Sequence, residues 1–111
     1  MKELQNVTEQ NEFPVVTTGE GVTRQVLSEN EALMTVEFAF KKDGVGALHN
    51  HVHVQSTYVK SGSFIFTLGD EELRLSAGDS IIIPSNVVHG CVALEDGQLI
   101  DTFTPRREDF L

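Results

Sequence analysis

The 111-residue sequence has no tryptophan, one tyrosine, three prolines and one cysteine. Cys91 therefore has no partner within the chain, so no internal disulfide braces the fold and nothing points to an oxidising compartment. Positive charge is scarce: eight Lys and Arg against 17 Asp and Glu give a net charge of −9. Such a surface repels nucleic acid and anionic membranes, and neither is expected as a partner. A small anionic ligand stays open, because a metal ion and one well-placed arginine invert the field locally. No apolar run approaches the length of a membrane span. Met1 to Glu12 are polar and acidic and lack the basic start and apolar stretch of a secretory signal, which makes the cytoplasm the expected location. There is no internal repeat and no low-complexity tract, and 40% hydrophobic with 23% charged residues suits one globular domain.

What the chain has instead is a series of short alternating segments. Met34, Val36, Phe38 and Phe40 recur at every second position, as do Phe64, Phe66 and Leu68, then Leu73 and Leu75. Period two is the signature of a half-buried strand. Turn residues punctuate the series at Asp43-Gly44, Ser61-Gly62, Gly69-Asp70, Gly78-Asp79 and Asp96-Gly97. No segment of helical period intervenes, so the expectation is an all-β antiparallel sandwich or barrel with a mouth lined by inward-facing side chains. Residues 1–21 read as a polar N-terminal arm and residues 22–111 as the barrel with a short charged tail.

Histidine is where the sequence concentrates its chemistry. His49, His51 and His53 lie in one run followed by Gln55, and the fourth, His89, follows the segment Gly78 to Pro84. In an extended strand, positions 49, 51, 53 and 55 share a face. Neutral imidazoles gathered without an acid partner are hard to explain by folding, whereas imidazole is a common ligand of first-row metals. A metal site is the expectation, and alternation alone admits either His49 or His53 beside His51.

The spacing of these residues resembles the two signature segments of the cupin family. His49-Asn50-His51, three residues, Gln55, six residues and Gly62 match the first, with glutamine in place of the acid and the leading glycine displaced to Gly44 or Gly46. Gly78, five residues, Pro84-Ser85-Asn86, two residues and His89 match the second, with Asn86 for a glycine, a mild change because Asn tolerates left-handed backbone. The blocks His49 to Tyr58, Ala77 to Cys91, and Leu99 to Pro105 with Arg107, Asp109, Phe110 and Leu111 are similar to the KdgF group of cupins. That resemblance implies a single-domain jelly-roll barrel (double-stranded β-helix), a homodimer, and one divalent ion, whether nickel, zinc, iron, manganese or cobalt, held by His49, His51, Gln55 and His89. It further implies an isomerase-type enzyme. Its substrate would be a small anionic sugar acid, a 4,5-unsaturated monouronate from pectin or alginate breakdown, opened to the linear keto-uronate. Asp101, Phe103 and Arg107 would line the substrate site.

Each of these residues has a plainer reading. Gln55 could be a polar strand residue; as a ligand it would leave the ion its full positive charge. Asp101 shares a face with Leu99 and Phe103, a costly place for an acid unless it is partnered, and inward it would serve as general acid or base. Phe103 suits the core or a wall for the sugar ring. Arg107, with Arg106 as its rival, would be a solvated tail residue without the resemblance, which makes it a clamp for the substrate carboxylate. His53 is expected either to support the ligands from behind or to face the substrate, and Tyr58 to pack in the core with its hydroxyl bonded or to line the substrate site. Cys91 reads as a small buried hydrophobe. Two other functions fit the same ligands: an iron-dependent cupin dioxygenase, and a non-catalytic sugar-acid-binding cupin.

Overall fold

A computed structural model describes residues 6–111 and contains ten strands joined by tight turns. In chain order they are β1 (Val15–Gly19), β2 (Val22–Glu29), β3 (Met34–Phe40), β4 (Val45–His49), β5 (Val54–Ser61), β6 (Ser63–Leu68), β7 (Glu71–Ser76), β8 (Ser80–Ile83), β9 (His89–Ala93) and β10 (Gly97–Thr104). A single turn of 3-10 helix, Glu108–Phe110, closes the chain. All pairings are antiparallel, in a six-stranded sheet of order β1-β2-β3-β10-β5-β8 and a four-stranded sheet of order β4-β9-β6-β7. This is the antiparallel sandwich expected of the alternating segments, in the jelly-roll form that the family resemblance implies. No helix among the described residues is long and apolar enough to cross a membrane.

The inner faces follow the sequence period. Met34, Val36 and Phe40 of β3, Val59 of β5, Phe64 and Phe66 of β6 and Leu99 and Phe103 of β10 are buried. They form two apolar clusters, one around Val22, Phe40, Val59, Phe64, Phe66, Ala93 and Leu99, the other around Val26, Met34, Val36 and Phe103. Along β10 Leu99 belongs to the first and Phe103 to the second, and Asp101 lies between them on the same face. The gap between the clusters is where polar side chains enter the barrel.

The expected arm is shorter than residues 1–21. Residues 15–19 form β1, which pairs with β2 at the edge of the larger sheet with every residue exposed; residues 1–5 lie outside the described residues. The histidine run also departs from expectation. It is not one strand: β4 ends at His49, β5 starts at Val54, and His51 and His53 occupy the connection. Tyr58, expected in the core or at the substrate site, follows the strand period of β5 to the outer face and is 46% exposed, while Gln55, Thr57 and Val59 turn inward.

Gly62 sits at φ +80° in the β5–β6 turn, where a Cβ would come within 2.7 Å of the Asp96 carbonyl oxygen and 2.8 Å of the Gly97 Cα. That approach locks the turn against the one before β10. Phe64 is fully buried and packs edge-on against Phe40 with ring centroids 5.2 Å apart. In denaturant titration Phe64→Ala is expected to cost about 3–5 kcal/mol.

Candidate metal centre

Strand pairing brings the two histidine segments together, since β4 and β9 place His49 directly opposite His89. His51 joins from the connection after β4, held there because the Asn86 N–H donates to the His51 carbonyl at 2.8 Å. Asn86 has φ +64°, the left-handed conformation anticipated for this position, so the turn after Pro84 anchors the first histidine segment. The ring centroids stand 4.4 Å (His49–His89), 4.8 Å (His51–His89) and 5.4 Å (His49–His51) apart. One ring nitrogen from each lies within 4.8 Å of the others.

Main-chain carbonyls set the protons. The Nδ1 of His49 lies 2.8 Å from the Ala47 oxygen, that of His51 3.1 Å from the His53 oxygen, and that of His89 2.9 Å from the Val87 oxygen. A carbonyl only accepts, so in each ring Nδ1 carries the hydrogen and Nε2 keeps a lone pair. His89 Nε2 is buried with no hydrogen-bond partner. His51 Nε2 faces Gln55 Oε1 at 3.1 Å. The Gln55 amide nitrogen donates to Thr57 Oγ1 (2.9 Å) and Asp101 Oδ2 (3.1 Å), which directs its oxygen at the histidines.

Two electron-pair donors facing each other need a proton or a cation between them. Protonation is disfavoured, because burial first and then the Arg107 charge lower the His51 pKa. Burial, opposed by the Val87 carbonyl but reinforced by His49, His51 and Arg107, takes His89 down to about 4. The donor set therefore fits a divalent first-row ion held by three imidazole nitrogens and one amide oxygen.

Beside this centre is a cavity of about 300 Å³ whose wall includes His49, Gln55, His89, Asp101, Phe103 and Arg107. Asp101 is only 6% exposed and accepts from Thr57 Oγ1 at 2.7 Å in addition to Gln55. Burial raises its pKa from the ordinary 3.8 to about 7 against the opposing pull of the Thr57 hydroxyl and Arg107. Arg107 forks onto Asp109 through two hydrogen bonds of 3.0 and 2.8 Å and stacks over Phe103 and Phe110 at 5.3 and 4.3 Å from their centroids. Arg106 turns away to Glu29 (3.0 Å) and Glu108 (3.6 Å) and is no part of the wall. Of the two rival arginines it is Arg107 that reaches the cavity.

His53 does something other than face a ligand. Its Nε2–H donates to the Arg106 carbonyl at 3.1 Å, the opposite tautomer from its three neighbours, and it stays outside the cavity wall. It fastens the tail that carries Arg107. Cys91 lines the cavity, with its thiol pushed up to about 12 by burial and then by Asp101, so it is no nucleophile at neutral pH. Sequence reasoning passed over Thr57 and Arg24. Thr57 lies two residues from Gln55 on one strand, and Arg24 falls between Val22 and Val26 on another; period two was the available signal for both.

The family model described as a cupin domain matches residues 36–102, a span that takes in all four candidate ligands and Asp101. The pectin degradation protein KdgF of Dickeya dadantii (strain 3937) is 40% identical over 103 residues, 91% of this chain and 94% of that protein. The chain is a cupin of the KdgF group. Two solved structures share this cupin's fold over almost their whole length. An RmlC-like cupin from Shewanella frigidimarina NCIMB 400 has a TM-score of 0.90 at 38% identity with both chains fully covered. KdgF from Halomonas sp. has 0.88 at 37% identity, covering 95% of this chain and 97% of the other.

Two outcomes are expected of this cupin. Elemental analysis of protein prepared without chelator gives one divalent ion per chain, and His89→Ala lacks it. Stripping the ion lowers the melting temperature; 100-fold saturation corresponds to about 2.7 kcal/mol. The second concerns pH in the stripped protein. Asp101 has a folded pKa of about 7 against 3.8 unfolded, so between those values the folded chain keeps a proton that the unfolded chain releases, and this contribution to stability is lost as pH rises. His89 acts oppositely between about 4 and 6.5. The wild-type stability minus that of Asp101→Asn, measured by denaturant titration, is therefore expected to fall from pH 4 to pH 7.

Proposed function

We propose that this cupin is a metal-dependent enzyme that opens the ring of 4,5-unsaturated monouronates formed in pectin or alginate breakdown, giving the linear keto-uronate (4-deoxy-5-hexosulose uronate). The observation that carries the reading is Asp101: an acid almost wholly buried, poised near neutrality, hydrogen-bonded to a candidate ligand, and set in the wall of a cavity that also holds arginine. A structural acid would be better placed at the surface, and a binding protein has no use for a carboxyl that shuttles protons at pH 7. The name of the Dickeya relative supports the substrate class.

Ring opening is an internal proton transfer. The substrate carries a hemiacetal hydroxyl on C1 and an enol-ether oxygen on C5. Loss of the hydroxyl proton breaks the C1–O5 bond and leaves an aldehyde and an enolate, and protonation at C4 then gives the C5 ketone. No electrons enter or leave, and no water is consumed. Asp101 suits both proton steps: Thr57 donates to Oδ1 and Gln55 to Oδ2, which fixes the carboxyl, and the second lone pair of Oδ2 accepts the hydroxyl proton and returns it to carbon. A divalent ion on His49, His51, His89 and Gln55 supplies Lewis-acid polarisation of a substrate oxygen. Phe103 and the Arg107 guanidinium stacked on it form a wall against which the flat unsaturated ring and its carboxylate are oriented.

The ultraviolet absorbance of the conjugated enol acid reports the reaction directly. The metal-loaded protein is expected to accelerate its loss without consuming oxygen, which separates ring opening from dioxygenation. Asp101→Asn lowers kcat by about 10²–10⁴-fold, the usual worth of a general acid–base group. Arg107→Ala raises KM more than it lowers kcat. An absorbance trace no faster than the spontaneous reaction removes the reading.

A further inference from the structure

The strand β2 turns Val22, Arg24 and Val26 to one side, and both valines are buried. Arg24 is therefore an inward-facing arginine in the cavity wall. A guanidinium in such a place costs free energy unless an anion or an aromatic face attends it. Arg24 has the aromatic face alone: its Cζ lies 4.1 Å from the centroid of Phe110, and no described residue forms an ion pair or hydrogen bond with it. In a chain with 17 acids against eight bases, that is conspicuous. Arg106 is matched by Glu29 and Arg107 by Asp109. Arg107 also lies over Phe110, at 4.3 Å, so two guanidinium groups share one ring and have a single carboxylate between them. The acid in the cavity wall, Asp101, is occupied by Thr57 and Gln55. One positive charge at this end of the cavity is left over.

We propose that Arg24 is a specificity-determining residue whose fork binds the carboxylate of an anionic monosaccharide, so that the cavity selects uronates over uncharged sugars. For the sugar, this rests on the ring-opening reading; for the charge, it rests on Arg24 alone. Arg107 has its Nε and one terminal nitrogen committed to Asp109, whereas the whole Arg24 fork is available for bidentate recognition. Phe110, contacted by both guanidinium groups, holds Arg24 in place before ligand arrives.

Isothermal titration of the metal-loaded full-length protein with D-galacturonate and with its methyl ester isolates the carboxylate, since the two differ in charge and little in shape. The wild type is expected to favour the acid over the ester. Arg24→Met, which keeps the length and the contact with Phe110, should weaken galacturonate by about 10–100-fold, the worth of a charge-assisted hydrogen bond, and leave the ester unchanged. Arg24→Lys should recover part of the loss. Equal weakening of acid and ester, unchanged galacturonate affinity in Arg24→Met, or a wild type that does not distinguish the two overturns the inference. The absorbance assay fails separately. A protein that discriminates by charge through Arg24 but opens no ring keeps this inference and loses the reaction; one that opens the ring with KM unchanged in Arg24→Met keeps the reaction and loses this inference.

Discussion

Three hydrogen bonds, from the Nδ1–H groups of His49, His51 and His89 to the carbonyls of Ala47, His53 and Val87, set the orientation on which the centre depends. A proton spent on the main chain leaves Nε2 as the free donor, and no side chain has to be recruited to choose the tautomer. The sheet then does the rest of the positioning: β4 and β9 put two of the rings opposite one another, and the turn at Asn86 secures the third. A rotamer change in any ring would have to break one of these bonds before it could turn a lone pair away.

The acid next to the centre is governed by the same economy of polar groups. Gln55 spends both amide hydrogens on Thr57 and Asp101, and Thr57 spends its hydroxyl hydrogen on Asp101. Every hydrogen that Gln55 and Thr57 offer is used, as a polar network between two apolar clusters requires. With glutamine at motif position 55 where the cupin pattern has an acid, Asp101 has no second carboxylate beside it. Its charge is suppressed mainly by burial, so a single residue holds a proton that can move at neutral pH.

Much of this was legible in the chain itself. The alternation in β3, β6 and β10 named the inner faces correctly, including the inward turn of Asp101, because in those strands the period extends without interruption. Between His49 and Gln55 the backbone leaves the sheet, so period two fails there and side chains obey the hydrogen bonds of the connection instead. His53 thus shares its neighbours' parity and not their direction. Tyr58 is near the motif in sequence, but its parity is opposite to that of Thr57 and Val59, which puts it on the outer face. Arg24 was hidden because an isolated arginine in a strand gives no sign of lacking a partner until the opposing elements are in place.

The bond from His53 to the Arg106 carbonyl spans 53 residues of sequence. It joins the connection that carries His51 to the segment that carries Arg107 and Phe110. A shift of the connection that bears His51 is thereby passed to the segment that bears Arg107 and Phe110, so the candidate ligands and the arginine end of the cavity are tethered to move together.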